Sequence, residues 1–244
     1  MNLAEFSNGF DTLIGSYRRF KDFDRQEMPD SIEFNEYEKS LFLTKAQEEL
    51  VIGCYSGKNT YGDSFESTEE LRRQLDSLVR TKVYTEGDRL SGMVGVSGNS
   101  VFFSLPDKLA FITMEQVTFG DETLGCHNGF TANVYPVRQD EYGKIKDNPF
   151  RGPTRYKVLR LDSGEGIVEL VSKYGISEYL IKYIERPEPI ILETLPEGLT
   201  IEGVGTENEC KLNPMLHNAI LERAVVTALR TKMSSTSNTE NTDK

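Results

Sequence analysis

Gly53–Lys58, GCYSGK, is the stretch that comes nearest to phosphate chemistry, in which a glycine-rich loop cradles phosphate on its backbone N–H groups. It has one residue too few between its glycines, Asn59 stands where Ser or Thr should hold a metal, and a helix rather than a strand precedes it, so it reads as a loop. Gly95-Val96-Ser97-Gly98 lacks the GxSxG spacing of a nucleophile elbow and reads as a flexible turn. The adjacent Cys126 and His127 splay apart and do not suit one metal ion. His217, in the apolar arc of the last helix, reads as a satisfied, partly buried histidine. Carboxylates for acid–base work are numerous: Asp140 and Glu141 beside Tyr142, Asp162 with Glu165, and Glu193 with Glu197. In a chain of net charge −11 such groups read as solvated surface. No catalytic, cofactor-binding or metal-ligating residue is assigned, and no enzyme activity is expected.

The elements that would position any such group begin with Phe34–Ile52. At the helical period Tyr37, Leu41, Val51, Ile52 and Tyr55 fall on one side, with Phe42, Leu43, Ala46 and Leu50 on the other. A helix apolar on two sides is expected at the centre of a bundle. Before it, residues 2–17 form an amphipathic helix whose face is Leu3, Phe6, Phe10, Leu13, Ile14 and Tyr17. Asp30, Ser31 or Asn35 could cap the long helix, and Gly53–Asp63 reads as the loop after it. Ser67 and Glu70 have capping-box spacing, opening a helix that carries Leu71, Leu75, Leu78 and Val79 on one face.

From about Tyr84 the chain turns to Val, Phe, Ile, Thr and Gly, the composition of short strands and turns. Strands are expected at Val101–Leu105, Leu109–Phe119 (central), Asn133–Val137, Arg155–Leu161, Ile167–Val171 and Tyr179–Ile184, with a hairpin turn at 162–166. Asn213-Pro214 opens a helix to about Lys232, with Leu216, Ile220, Ala224 and Ala228 beside Leu221, Val225 and Leu229. It is expected to return to the N-terminal helices. Residues 234–244 hold no apolar side chain and are expected to be disordered in isolation. The fold class is α+β: an N-terminal helical domain over 1–82 completed by 213–232, a mainly antiparallel β-rich domain over 83–212, and a tail over 233–244.

Bulk properties narrow the function. With 28 Lys and Arg against 39 Asp and Glu, the chain is a poor candidate for free nucleic-acid binding. Arg18, Arg19, Lys21, Arg72 and Arg73 are the residues a DNA-binding regulator would have to use. Three scattered Cys argue against a disulfide framework and for a reducing compartment. No run approaches a membrane span, and the first residues do not read as a signal peptide.

Several stretches taken together resemble one family. They are NEYEKSLFLTKAQEELV (35–51), FESTEELRRQL (65–75), NPFRGP (148–153) with YKVLRLD (156–162), ERPEPIIL (185–192) and CKLNPMLHNAILERAV (210–225). In that order they are similar to the neck and tail ring proteins, or head-to-tail adaptors, of crAss-like and related short-tailed phages. The resemblance implies a virion structural protein, made in the host cytoplasm, that forms a portal-proximal ring linking head to tail. It implies a dodecamer matched to the portal, the portal protein and neighbouring tail rings as partners, DNA passing through the lumen without specific binding, and no cofactor. The alternative from the residues themselves is a carboxylate-based hydrolase or other binding module with its site in the β-rich domain.

Overall fold

The computed structural model describes residues 1–19, 33–57 and 69–239 of the 244. Packing divides the chain into two compact units, Met1–Leu78 with Pro187–Lys244, and Val79–Arg186. The first is helical and discontinuous in sequence; the second is β-rich. The expected capping box at Ser67, the cap candidates Asp30 and Ser31, and the cation Lys21 lie outside the described residues.

In the helical unit, α1 (Leu3–Arg19) opens on Asn2, whose side chain accepts the Glu5 N–H at 2.8 Å while Glu5 accepts the Asn2 N–H. α2 (Glu36–Ser56) opens on a capping box in which Asn35 Oδ1 accepts from Glu38 N at 2.8 Å. It runs four residues beyond the expected Ile52, through Gly53–Ser56, and ends at Gly57, whose φ of +75° is the left-handed cap that glycine adopts without strain. α3 is short, Glu69–Leu75, followed by a 3₁₀ turn at Asp76–Leu78. Asn213 caps the last helix as expected, accepting from Met215 N at 3.1 Å with Pro214 at its first position. α5 (His217–Thr239) continues past Lys232.

α5 makes the broader contacts with both α1 and α2, which also meet each other through the Lys39–Asp11 pair at 2.7 Å. It buries Ile220, Leu221, Ala224, Val225, Ala228 and Leu229. Gly9 lets α1 come close: a Cβ there would lie 2.8 Å from Leu221 Cδ2. Arg223–Glu49 (2.8 Å) and Lys232–Glu38 (3.2 Å) flank its contact with α2.

The two-sided burial expected of α2 is not what forms. Leu43, Ala46 and Val51 are buried, but Leu41 is 44% exposed and Ile52 faces solvent. The second buried face is polar: Ser40, Thr44 and Gln47, at i, i+4 and i+7, hold the strap Pro187–Leu192. Thr44 Oγ1 accepts the Ile190 N–H at 3.1 Å and donates to the Ile190 carbonyl at 3.3 Å. Ser40 Oγ accepts from Leu192 N at 3.0 Å, and Gln47 Nε2 donates to the Glu188 carbonyl at 2.8 Å. Three helix side chains thus supply what a neighbouring strand would, which lets Ile190 be fully buried without orphaned backbone groups, while the buried Ile191 pairs with the Asn208 backbone.

The β-rich unit is a seven-stranded sheet: β1 (Val79–Thr85), β2 (Ser100–Ser104), β3 (Leu109–Phe119), β4 (Thr131–Pro136), β5 (Lys157–Gly164), β6 (Ile167–Val171) and β7 (Ile176–Glu185). The order is β1-β7-β3-β4-β5-β6-β2. Every pair is antiparallel except β4–β5. The long apolar β3 is interior as expected, between β7 and β4. β1 begins at Val79, where the sequence suggested a continuing helix face. VRTKVYT is β-branched and pairs along its whole length with β7. Strands joined in parallel need a crossover, and α4 (Gln139–Ile145), which was not expected, supplies it.

The sheet curls until its two edges meet through side chains. Tyr84 of β1 and Phe103 of β2 have ring centroids 5.3 Å apart, both pack on Tyr179 of β7, and Tyr84 donates its hydroxyl to the Ser104 carbonyl at 2.8 Å. The concave face is filled by Val117, Phe119, Val134, Val158, Leu170 and Ile181. On the convex face Ile145 of α4 covers Leu159, Leu161 and Val171.

Candidate functional site

The groups whose chemistry the sequence raised do not converge. Gly53–Ser56 form the last turn of α2, a carbonyl-rich helix end whose dipole repels phosphate. Gly95 is not a flexibility device: a Cβ there would sit 2.5 Å from Ser100 Cβ and 2.9 Å from Glu169 Oε1. That close approach lets the buried Glu169 accept the Val96 N–H at 2.7 Å. Cys126 is exposed on a 3₁₀ turn at Glu122–His127, and Cys54 and Cys210 are unpaired thiols, raised in pKa by burial. Among the described residues no group of three or more His, Cys, Asp or Glu could hold a metal ion.

His217 is buried, its ring tilted against Phe6 with centroids 5.3 Å apart, with Nε2 donating to the Leu212 carbonyl at 3.0 Å and Nδ1 accepting from the Met1 ammonium at 2.7 Å. Burial, with the ammonium beside it, lowers its pKa, so it is a neutral structural histidine. Asp140 pairs with Arg138 at 3.1 Å in the first turn of α4, and Glu141 is exposed beside it. Asp162 pairs with Arg160 at 3.2 Å, and Glu165 sits exposed in the following turn with a φ of +51°. Glu193 and Glu197 are exposed on a loop of the helical unit. Of the basic residues, Arg72 is exposed and Arg73 pairs with Glu69 at 2.7 Å. Arg18 and Arg19 close α1.

One charged constellation was missed by sequence reasoning. Inside the curled sheet, Glu115 has a side chain only 6% exposed; it takes Arg160 Nη1 at 2.6 Å on one oxygen and the Tyr179 hydroxyl on the other. Burial works against the Arg160 charge, but Glu115 outweighs it and raises the pKa; burial and the Glu115 charge push the Tyr179 hydroxyl far up. Both carboxylate oxygens are therefore satisfied, and the group holds β3, β5 and β7 together rather than offering a reactive proton. Only the period-2 position of Glu115 within an apolar strand signals it.

Clefts offer little more. One of about 330 Å³ is lined by Arg89, Asn99, Asp121 and Tyr174, among others. Arg89 donates to the Ile176 carbonyl and to Glu86. Asp121 accepts from Thr123 and from Gly175 N, bonds that lower its pKa. What the chain presents instead is surface. Val94, 97% exposed, tips the loop 89–99, and Phe150, 90% exposed, tips the loop after α4. Between Val79 and Arg186 there are 14 Lys and Arg and 14 Asp and Glu, so the whole −11 belongs to the helical unit, with 14 against 25.

Both exposed apolar tips belong to the neutral β-rich unit, while the helical unit carries the net negative charge. Residues 1–241 match the family described as phage tail ring protein 3/4. The chain belongs to this family of phage tail ring proteins. Over 241 residues, 98% of the chain and all of the relative, it is 49% identical to ring protein 3 of Bacteroides phage crAss001. Over 234 residues, 92% of the chain and 91% of the relative, it is 33% identical to ring protein 4/5 of the same phage. As a tail ring protein the chain is a virion component, and no helix among its described residues is long and apolar enough to cross a membrane.

Proposed function

We propose that this tail ring protein assembles into a ring in the portal-proximal neck, links head to tail and lines the conduit for DNA, as a structural part with no enzymatic step. The observation that carries the reading is the match along nearly the whole chain to two ring proteins of one phage. A dodecamer, matching the portal, is the proposed copy number, with the portal protein and neighbouring rings as partners above and below. The two compact units divide the work: the discontinuous helical unit carries the net negative charge, and the β-rich unit is neutral. A chain of this charge lets DNA pass without adhering, because there is no phosphate-neutralising surplus to release counterions. No second reading is favoured, since the carboxylates a hydrolase would need are paired, exposed or far apart in the chain.

The test is the native mass of the full chain, alone and mixed with the portal protein, together with electron microscopy of the virion. A closed ring beneath the portal is expected. A chain that stays monomeric in the mixture and is absent from particles would overturn the reading.

A further inference from the structure

The crossover between β4 and β5 carries an unusual charge. From Lys144 to Lys157 there are five basic residues, Lys144, Lys146, Arg151, Arg155 and Lys157, and one acidic residue, Asp147. None of the five makes an ion pair among the described residues. Arg155 and Lys157 lie instead over the rings of Tyr156 and Tyr135, at 4.6 and 5.0 Å. The loop is preorganised. Asn148 Oδ1 accepts the N–H groups of Phe150 and Arg151 at 2.9 and 3.2 Å, and Gly152 N donates to the Asn148 carbonyl at 2.7 Å. Phe150 is thereby held outward, beside Arg151.

The helical unit has the complement. From Glu193 to Glu209 there are five Glu and no Lys or Arg. All five are exposed, and Leu199 among them is half exposed. This loop is also fixed: Ile191 and Asn208 bond each other at 3.0 Å in both directions, Leu195 N donates to the Gly205 carbonyl at 2.8 Å, and a tight turn closes Ile201 on Val204.

Building on the ring reading, we propose that the basic, aromatic crossover loop of one copy docks on the acidic 193–209 loop of the next. Each loop repels its own twin, so two-fold pairing through either one is opposed. A contact between two different patches is heterologous and repeats around an axis, as a ring requires. Phe150 supplies the desolvated aromatic anchor and Leu199 an apolar counterpart within a charged rim. Because both loops are already shaped by their own hydrogen bonds, little ordering cost opposes docking. Duplex DNA is the competing occupant of the basic loop; the acidic loop is favoured because every copy presents it and the chain as a whole repels phosphate.

The experiment uses two full-length variants, one with Lys146→Glu, Arg151→Glu and Arg155→Glu, the other with Glu197→Lys, Glu207→Lys and Glu209→Lys. All six side chains are exposed, and circular dichroism checks that the fold is kept. Self-association is read by native mass across a concentration and salt series, with binding of a short DNA duplex in parallel. Each variant alone should self-associate about a hundredfold more weakly than the unaltered chain. An equimolar mixture should regain the lost association, since reversed loops then meet opposite charge in alternation. Phe150→Ala should weaken association about tenfold or more with the charges intact. Variants that assemble like the unaltered chain, or a mixture that fails to recover, would overturn the proposal and leave the ring reading standing. A basic-loop variant that assembles normally but loses DNA retention would give the loop to DNA. An unaltered chain that never self-associates, even with the portal protein, would overturn the ring reading itself and this proposal with it.

Discussion

Replacing Thr44 by Val isolates the contact that fastens the strap 187–192 to α2. The two side chains have nearly the same shape, so packing is kept while the hydroxyl is lost. Thr44 is 4% exposed and Ile190 is fully buried, so water cannot take over either bond. The change leaves the Ile190 N–H and C=O without their partner, at about 1–3 kcal/mol for each buried group. The methyl that replaces the hydroxyl returns about 1 kcal/mol, so the net loss should be about 1–5 kcal/mol. Urea unfolding followed by circular dichroism measures it, and hydrogen exchange at the Ile190 amide localises it. Thr44→Ser, which retains the hydroxyl, should cost about 1 kcal/mol and keep that amide protected. If Thr44→Val proved as stable as the unaltered chain, with the Ile190 amide still slow to exchange, the strap would not be held by this hydroxyl and the reasoning would fail.

Lys39 is buried and bonds Asp11 at 2.7 Å, Glu36 at 2.9 Å and Ser7 at 3.1 Å. Burial opposes its charge, but Asp11 and Glu36 prevail and raise its pKa above 10.5. Its stabilisation, about 1–2 kcal/mol, is therefore complete below that value and lost as pH rises through the higher folded pKa. Melting curves of Lys39→Met should lie below the unaltered chain by a constant margin from neutrality to about pH 10 and converge only above it; convergence near neutrality would contradict this. Gly152→Ala would place a Cβ 2.7 Å from the carbonyls of both Lys146 and Asn148, so the Phe150 loop must shift, at about 1–3 kcal/mol, measurable as a lowered melting temperature. Leu41→Glu should leave stability within about 1 kcal/mol, whereas Leu43→Glu, at a fully buried site, should cost more than about 3 kcal/mol and prevent folding. Equal losses at the two positions would show α2 buried on both sides after all.

Local grammar made much of the fold legible. Asn35 and Asn213-Pro214 announce helix starts through groups that satisfy backbone donors within a few residues, and the apolar run of β3 announces an interior strand. Nonlocal partners were not legible. Ser40, Thr44 and Gln47 look like the wet side of a helix until a strap from 150 residues away lies against them. α4 is only seven residues long and charge-rich, too short for periodicity to register. β1 directly follows a helical turn, so Val79 reads in sequence as part of the helix face. In sequence the reactive groups are weighed by spacing and overall charge, while the proposed docking surfaces turn on exposure and local hydrogen bonding. The run at 144–157 is visible as composition, but that Phe150 stands outward on a loop fixed by Asn148 is a three-dimensional fact.

The helical unit is split in the chain, with α1 and α2 at one end and the helix that completes them at the other. During synthesis the contiguous β-rich segment can fold as soon as it emerges, but the grooves for α5 stay empty until residues 217–239 have also left the ribosome. A prematurely terminated chain would keep its crossover loop yet lack a finished helical unit. In a ring, where one faulty member spoils every copy, a unit that can be completed only after the whole β-rich segment has been made acts as an inspection step. Chains truncated before His217 should be recovered as aggregates or degradation products, and not as members of assembled rings.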